Sequence, residues 1–352
     1  MRLQRNGEIS QNNKEKRAKR ESRRQRVRIL CYIALIGLCC FCLWRMEVRR
    51  DRSQEKPKWP HQVIQIDEEQ EDNTGQGSRA DVIKLDSIHS TYAIVLDGET
   101  GEILAEKNSE EKMYPASMTK LMAALVAVER TEDWNASIEI PQNIFAKLYA
   151  EHASLAGFEP GERVTPEDLL YGMLLPSGAE CCTVYAMWLA GDEETFVEWM
   201  NEKAAELGME NTHFVNTTGL HDTQHYSTAE DIAVLMRQCL QNETLRSALQ
   251  ADVFQTTPTT LHPQGLTLES TLFQAVADNS GFTEKLAEAK DAGAVLLGGK
   301  TGYTSQAGLC LASFANIDGR EYILVTAGAE GNHYTDPFHI EDAFAVYQQI
   351  AE

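Results

Sequence analysis

Residues 114–125 read Tyr-Pro-Ala-Ser-Met-Thr-Lys-Leu-Met-Ala-Ala-Leu. Pro115-Ala116 sets a start, and Met118, Leu121, Met122, Leu125 and Val128 recur at core spacing, which predicts a buried helix over Ser117 to Glu129. Ser117 heads that helix and Lys120 follows three residues on, so both side chains share a face and the amine can reach the hydroxyl. Unpaired N–H groups and the positive dipole end at that position favour a developing oxyanion and a deprotonated hydroxyl. A serine there can equally serve as a simple cap, and a chain of this length contains about one Ser-x-x-Lys by chance. Two further matches, Ser53…Lys56 and Ser109…Lys112, lie in segments without a rigid frame.

Outward from this helix the pattern changes period. Tyr92 to Leu96, a turn at Asp97-Gly98-Glu99-Thr100-Gly101 and Glu102 to Glu106 alternate as a hairpin does. Near the other end, Gly308 to Asn316, a turn at Asp318-Gly319 and Glu321 to Ala329 repeat the arrangement. Between them Pro166 to Leu189, Thr195 to Leu207 and Thr228 to Leu240 have helical spacing, and Ile340 to Glu352 reads as a closing helix. Strands at both ends with helices between predict an α+β fold of mixed α/β composition. One antiparallel sheet is built from the two ends and flanked by helices, with an all-helical subdomain inserted in it.

Two more segments carry chemistry. Leu174-Leu175-Pro176-Ser177-Gly178-Ala179 breaks an apolar helical run with a polar step, so the Ser177 hydroxyl could relay a proton between Lys120 and a leaving group; an ordinary helix break is the plainer reading. Gly298-Gly299-Lys300-Thr301-Gly302-Tyr303-Thr304 precedes the late hairpin. On an edge strand Lys300 and Thr301 would offer a cation and a hydroxyl to a carboxylate, and Gly302 would leave room for an extended peptide. The charge of Lys300 would also help Lys120 stay neutral enough to act as a base.

In this order, Ser-x-x-Lys, Ser-x-x and Lys-Thr-Gly resemble the active-site set of serine penicillin-recognising enzymes. The flanking text YPASMTKLMAAL, LLYGMLLPSG, FVEWMNEKAAELGMENTHFVNTTGLHD, HYSTAEDIAVL and GGKTGYTSQAGLCLASFA is similar to the serine D-alanyl-D-alanine carboxypeptidases of peptidase family S11, the low-molecular-weight penicillin-binding proteins, from about Ala93 to Ala329. The resemblance implies a β-lactamase/transpeptidase-like fold, no cofactor or metal, peptidoglycan stem peptides as substrate and β-lactams as inhibitors. It implies Ser117 as nucleophile, Lys120 as general base and Ser177 as relay. Lys300, Thr301 and Gly302 would bind the substrate's end, with the backbone N–H groups of Ser117 and Tyr303 as oxyanion hole. One position departs from the family pattern: the middle motif usually ends in Asn, whose amide bonds both the substrate peptide and the base lysine, and here it ends in Ala179. Losing one such contact slows an enzyme by about 1–3 kcal/mol of barrier.

The 352 residues carry 32 Lys+Arg against 53 Asp+Glu, a net charge of −21, which excludes a nucleic-acid partner because phosphate neutralisation needs a basic surface. Residues 1–28 hold 11 of the basic residues and only 3 acids, and are expected to be a cytoplasmic arm. Residues 29–44, ILCYIALIGLCCFCLW, are uncharged and at ~1.5 Å rise per residue span roughly 24 Å, so they predict a single membrane anchor with Arg28 and Arg45 snorkelling. Residues 45–90 then read as a flexible polar linker, and 91–352 as an extracytoplasmic catalytic domain, as in a Gram-positive bacterium. Cys181, Cys182, Cys239 and Cys310 read as buried free thiols.

Other readings stay open at this point. His213, His221, Asp222 and His225 are a loop cluster that a zinc carboxypeptidase could use. A Ser-His-Asp hydrolase would need a Gly-x-Ser-x-Gly elbow, and the chain has none. The three motifs by themselves also suit a β-lactamase, and Ala179 suits a penicillin-binding wall sensor that has lost turnover.

Overall fold

The computed structural model describes residues 83–279, 294–332 and 334–352. Five antiparallel strands form the main sheet: β1 (Tyr92–Asp97), β2 (Ile103–Lys107), β7 (Ala294–Thr304), β8 (Gly308–Ile317) and β9 (Arg320–Ala329), in the order β2-β1-β9-β8-β7. The pairing of β1 with β9, Tyr92 opposite Ala327 through Asp97 opposite Tyr322, joins the first and last hairpins into one sheet, as expected. The β8–β9 turn has Asp318 at φ +53° and Gly319 at φ +83°, the two left-handed residues of a type I′ turn whose twist matches the strands.

Both faces of this sheet are covered, which is why its central strands read as nearly continuous apolar runs. On one face Ala93, Val95, Leu311, Ala315 and Leu324 pack under the closing helix α9 (Phe338–Ala351) through Ile340, Phe344, Tyr347 and Ile350. On the other, Ile94, Phe314, Ile323 and Val325 pack on the helical layer. At the centre of that layer lies α1 (Thr119–Arg130), in which every residue from Thr119 to Ala127 is buried. Around it run α2 (Phe145–Ala150), α3 (Pro166–Leu174), α4 (Ala179–Ala190), α5 (Glu193–Glu206), α6 (Ala229–Leu240) and α7 (Glu243–Gln250), while α8 (Thr271–Asp278) packs through Leu272 and Val276 on the α9 face. Local signals set their starts: a capping box between Thr165 and Asp168 with Pro166 at the first position of α3, and side-chain caps from Asp192 for α5 and Thr228 for α6.

Two expectations need correction. The inserted part is not all-helical: β3 (Ile138–Glu139) pairs with β4 (Arg163–Val164), and β5 (Val253–Gln255) with β6 (Thr267–Glu269). Ladders of two and three residues are too short to show alternation. The linker also ends earlier than residue 90. Leu85 and Ile88 are buried against the α9 side of the sheet, and the Asp342 carboxylate accepts hydrogen bonds from His89 N, Ser90 N and Ser90 Oγ at 2.8, 2.8 and 2.6 Å. The polar composition around 83–90 hides this because only two of those side chains are buried apolar anchors. The expected cytoplasmic arm, the anchor at 29–44 and the rest of the linker lie outside the described residues; no helix among the described residues is long and apolar enough to cross a membrane.

Candidate active site

The head of α1 is preceded by one 3₁₀ turn, Ala116–Met118, so Ser117 sits at the junction between the turn and the helix. Ala116 is left-handed at φ +47°, a conformation that costs a non-glycine residue of order 1 kcal/mol and more and that persists only where the surroundings impose it. Gly219 supplies that constraint from the far side: a Cβ on it would stand 1.8 Å from the Ala116 carbonyl oxygen. Ser117 does not cap the helix. Its Oγ lies 2.9 Å from Lys120 Nζ, which also donates to the Thr218 carbonyl at 2.6 Å. Lys120 is 2% exposed, and burial pushes its ammonium below the usual lysine range against the opposing fields of Cys182, Glu180 and Cys181. A lysine so placed is available as a neutral amine, the form that can take a proton.

Ser177 lies between α3 and α4 with φ +64°. Its hydroxyl is buried with no hydrogen-bond partner among the described residues, a state worth about 1–3 kcal/mol of unmet hydrogen bonding, and it lines the same cleft as Ser117. The third motif is on β7, which is the sheet edge, as expected. The cleft beside it, about 430 Å³, is lined by Ser117, Ser177, Thr271, Thr301, Gly302 and Tyr303 among others. Ser117, Lys120 and Tyr303 also line its second arm, together with Thr218 and Ala179.

The structure gives two of the predicted site residues surroundings that the sequence did not suggest. Lys300 is 1% exposed and its Nζ donates to the Thr301 carbonyl at 2.9 Å; it is absent from the cleft lining. Burial, with Lys120 nearby, pushes its ammonium well below the usual range. Of the motif's two polar side chains Thr301 is the one on the cleft, its hydroxyl sharing a 2.6 Å hydrogen bond with that of Thr271 at the start of α8, and Lys300 lies buried beneath it. Gly302 lines the cleft and also faces the turn that carries Ser117. A Cβ there would stand 2.9 Å from Ser117 N, 3.2 Å from Ala116 Cβ and 3.3 Å from Met118 N, so its missing side chain lets β7 press against the nucleophile's own turn.

Thr271 and Thr218 were not legible as site residues. The Asn-Thr-Thr-Gly run was the available signal: Asn216 Oδ1 accepts from Thr218 N, Thr218 Oγ1 and Gly219 N, an Asx-type turn that aims the Thr218 carbonyl at Lys120. His213, His221 and Asp222 of the histidine cluster are exposed. His225 is buried, its Nε2 2.7 Å from Thr119 Oγ1 and its Nδ1 accepting from Val215 N, while His213 Nδ1 bonds the Gln224 carbonyl. Cys181, Cys182, Cys239 and Cys310 are free and buried, as expected.

Residues 79–331 match the family model of the D-alanyl-D-alanine carboxypeptidases, peptidase S11. The chain belongs to that family. Among curated relatives of this S11 chain, the D-alanyl-D-alanine carboxypeptidase DacF of Bacillus subtilis is 33% identical over 241 residues, covering 67% of this chain and 57% of the relative. The enzyme DacD of Escherichia coli is 34% identical over 163 residues, covering 44% and 42%. The chain thus spans about half the length of these curated relatives. The crystal structure of the Streptomyces K15 DD-transpeptidase superposes with a TM-score of 0.65 at 24% identity, covering 76% of this chain and 99% of that one, which establishes a transpeptidase-like fold.

Proposed function

We propose that this S11 member is a serine D-Ala-D-Ala carboxypeptidase that removes the terminal D-alanine from peptidoglycan stem pentapeptides through an acyl-serine intermediate, and that β-lactams acylate the same serine. The observation that carries the reading is the 2.9 Å approach of a buried, pKa-lowered Lys120 to Ser117 Oγ at the bottom of a cleft walled by Ser177 and Thr301. A neutral Lys120 keeps two N–H groups and a lone pair. One N–H bonds the Thr218 carbonyl, and the lone pair takes the Ser117 proton as Oγ attacks the penultimate D-Ala carbonyl. The proton passes by way of Ser177 to the leaving nitrogen, the C–N bond breaks and D-alanine departs; general acid–base steps of this kind contribute about 10²–10⁴-fold. Water then attacks the ester with Lys120 as base. The N–H groups of Ser117 and Tyr303, both on the cleft, hold the oxyanion, and Thr301 with Thr271 holds the terminal carboxylate.

A second reading, a penicillin-binding sensor with impaired turnover, is favoured by Ala179. A fluorescent penicillin should label the protein at Ser117, located by peptide mass, and Ser117→Ala should abolish labelling; an unlabelled wild-type protein would defeat the acyl-serine mechanism. D-alanine release from a stem pentapeptide separates the two readings, because a sensor labels without releasing. We also propose that residues 29–44 anchor the chain in the cell membrane with residues 1–28 cytoplasmic and the catalytic domain outside, supported by the basic arm before an uncharged apolar run. Carbonate extraction of membranes and protease accessibility in intact cells test this topology.

A further inference from the structure

The amide absent at position 179 would have had two duties, and the structure separates them. The lysine-facing duty is met by the Thr218 carbonyl, 2.6 Å from Lys120 Nζ. The substrate-facing duty has no group on α4 to perform it, because Ala179 ends in a buried methyl. The chain bonded to the backbone of Ala179 is the loop after α2. Ser154 O accepts from Ala179 N at 2.8 Å, and Ser154, like Ser117, lines both arms of the cleft. The loop is clamped there. Glu180, fully buried, accepts hydrogen bonds through Oε1 from Ala156 N at 2.6 Å and Gly157 N at 3.0 Å, and Gly178 approaches so closely that a Cβ on it would lie 2.7 Å from Ala156 Cβ. Three hydrogen bonds thus fix the backbone on both sides of Leu155, and with it the position of an exposed hydroxyl at the cleft.

We propose that Ser154 is a substrate-binding residue whose hydroxyl bonds the amide carbonyl of the bound peptide, or of a penicillin's acylamino side chain, in place of the amide missing at position 179, and that Glu180 is the positioning residue that holds it there. The inference rests on the acyl-serine reading. It explains how a member of this family keeps a polar contact on that wall with alanine in the motif. It also gives Glu180 a task that the catalytic scheme leaves unassigned: a buried carboxyl is costly unless its acceptors are used, and here the backbone donors of one loop use Oε1 while Oε2 has no partner among the described residues.

The experiment compares acylation rates of two β-lactams: benzylpenicillin, which carries the acylamino carbonyl, and 6-aminopenicillanic acid, which lacks it. Ser154→Ala is expected to slow benzylpenicillin about 5- to 30-fold, the range for one lost hydrogen bond, and to leave 6-aminopenicillanic acid within about twofold. Adding Ala179→Asn to Ser154→Ala should recover most of the loss. Glu180→Gln, which keeps an acceptor oxygen, should retain the wild-type ratio of the two acylation rates at neutral pH. Glu180→Ala should reproduce the selective loss, whereas damage to the fold alone would slow both compounds alike. Equal effects on the two β-lactams, or none in Ser154→Ala while the wild type is acylated normally at Ser117, would overturn the proposal. Wild-type protein that neither compound acylates would overturn the acyl-serine reading itself, and the two failures are thereby distinguished.

Discussion

Replacing Gly302 by alanine tests whether the Lys-Thr-Gly strand positions the nucleophile. The φ of Gly302 is not in the left-handed region, so the backbone itself accepts alanine and only space is at stake. The added Cβ would meet Ser117 N at 2.9 Å and Ala116 Cβ at 3.2 Å. Ordinary contact begins near 3.4 Å, so β7 and the 3₁₀ turn must part by about 0.5 Å. Neither side is a flexible side-chain tip: one is backbone of an edge strand, the other a turn already strained at Ala116. Overpacking of this kind costs about 1–3 kcal/mol, and in a domain of this size 1 kcal/mol is about 2 °C, so Tm should fall by roughly 2–6 °C. The same displacement separates Ser117 from the oxyanion donors on β7. Since 1 Å of misplacement costs on the order of 10²-fold, half that distance should slow acylation about 10-fold. Stopped-flow acylation by a fluorescent penicillin, with calorimetry on the same samples, measures both. An unchanged Tm combined with a raised KM for peptide would mean that Gly302 makes room for substrate after all, and wild-type values throughout would refute the steric argument entirely.

Other outcomes follow from the same geometry. Asn216→Ala should loosen the turn that aims the Thr218 carbonyl at Lys120 and lower kcat about 10-fold with little change in KM, read by D-alanine release. His225 is buried as the neutral ring with its pKa lowered to about 4, against 6.5 when unfolded. The stability it contributes is present above pH 6.5 and is lost as pH falls toward 4, by up to about 3 kcal/mol; urea titrations at pH 7 and pH 4 should show His225→Gln losing less than wild type over that interval. Glu180 has the opposite sign: its carboxyl, raised to about 7 by burial, favours the fold below pH 4.5 and loses that contribution as pH rises through 7, so Glu180→Gln should gain on wild type above pH 7 in the same titrations. Deleting residues 1–90 instead of 1–82 should cost about 3 kcal/mol or more, because Leu85 and Ile88 leave the core and Asp342 loses three donors; a chain starting at 91 with undiminished Tm would place the domain boundary there.

The two hairpins and the long helices, in their order, could be read along the chain without coordinates, whereas the short strands β3 to β6 and the short helices α2, α7 and α8 could not. Period-2 alternation marks both hairpins, 3.6-residue spacing marks α1, and the type I′ dipeptide Asp318-Gly319 marks the last turn, because each signal lies within one element and reports which face is wet. The same locality made Ser117 and Lys120 legible as a pair, since three residues on a helix is a fixed distance. Their surroundings had to wait for the fold. Thr218 reaches Lys120 across 98 residues of chain and Ala156 reaches Glu180 across 24, and no periodicity encodes such meetings. Whether Lys300 faces the cleft or the core, and whether Gly302 yields to substrate or to Ser117, depends on which neighbours the folded chain brings to each face of β7. A glycine or a lysine in the sequence states only what it is able to do; the packing of the helix head against the sheet edge selects which of those things it does.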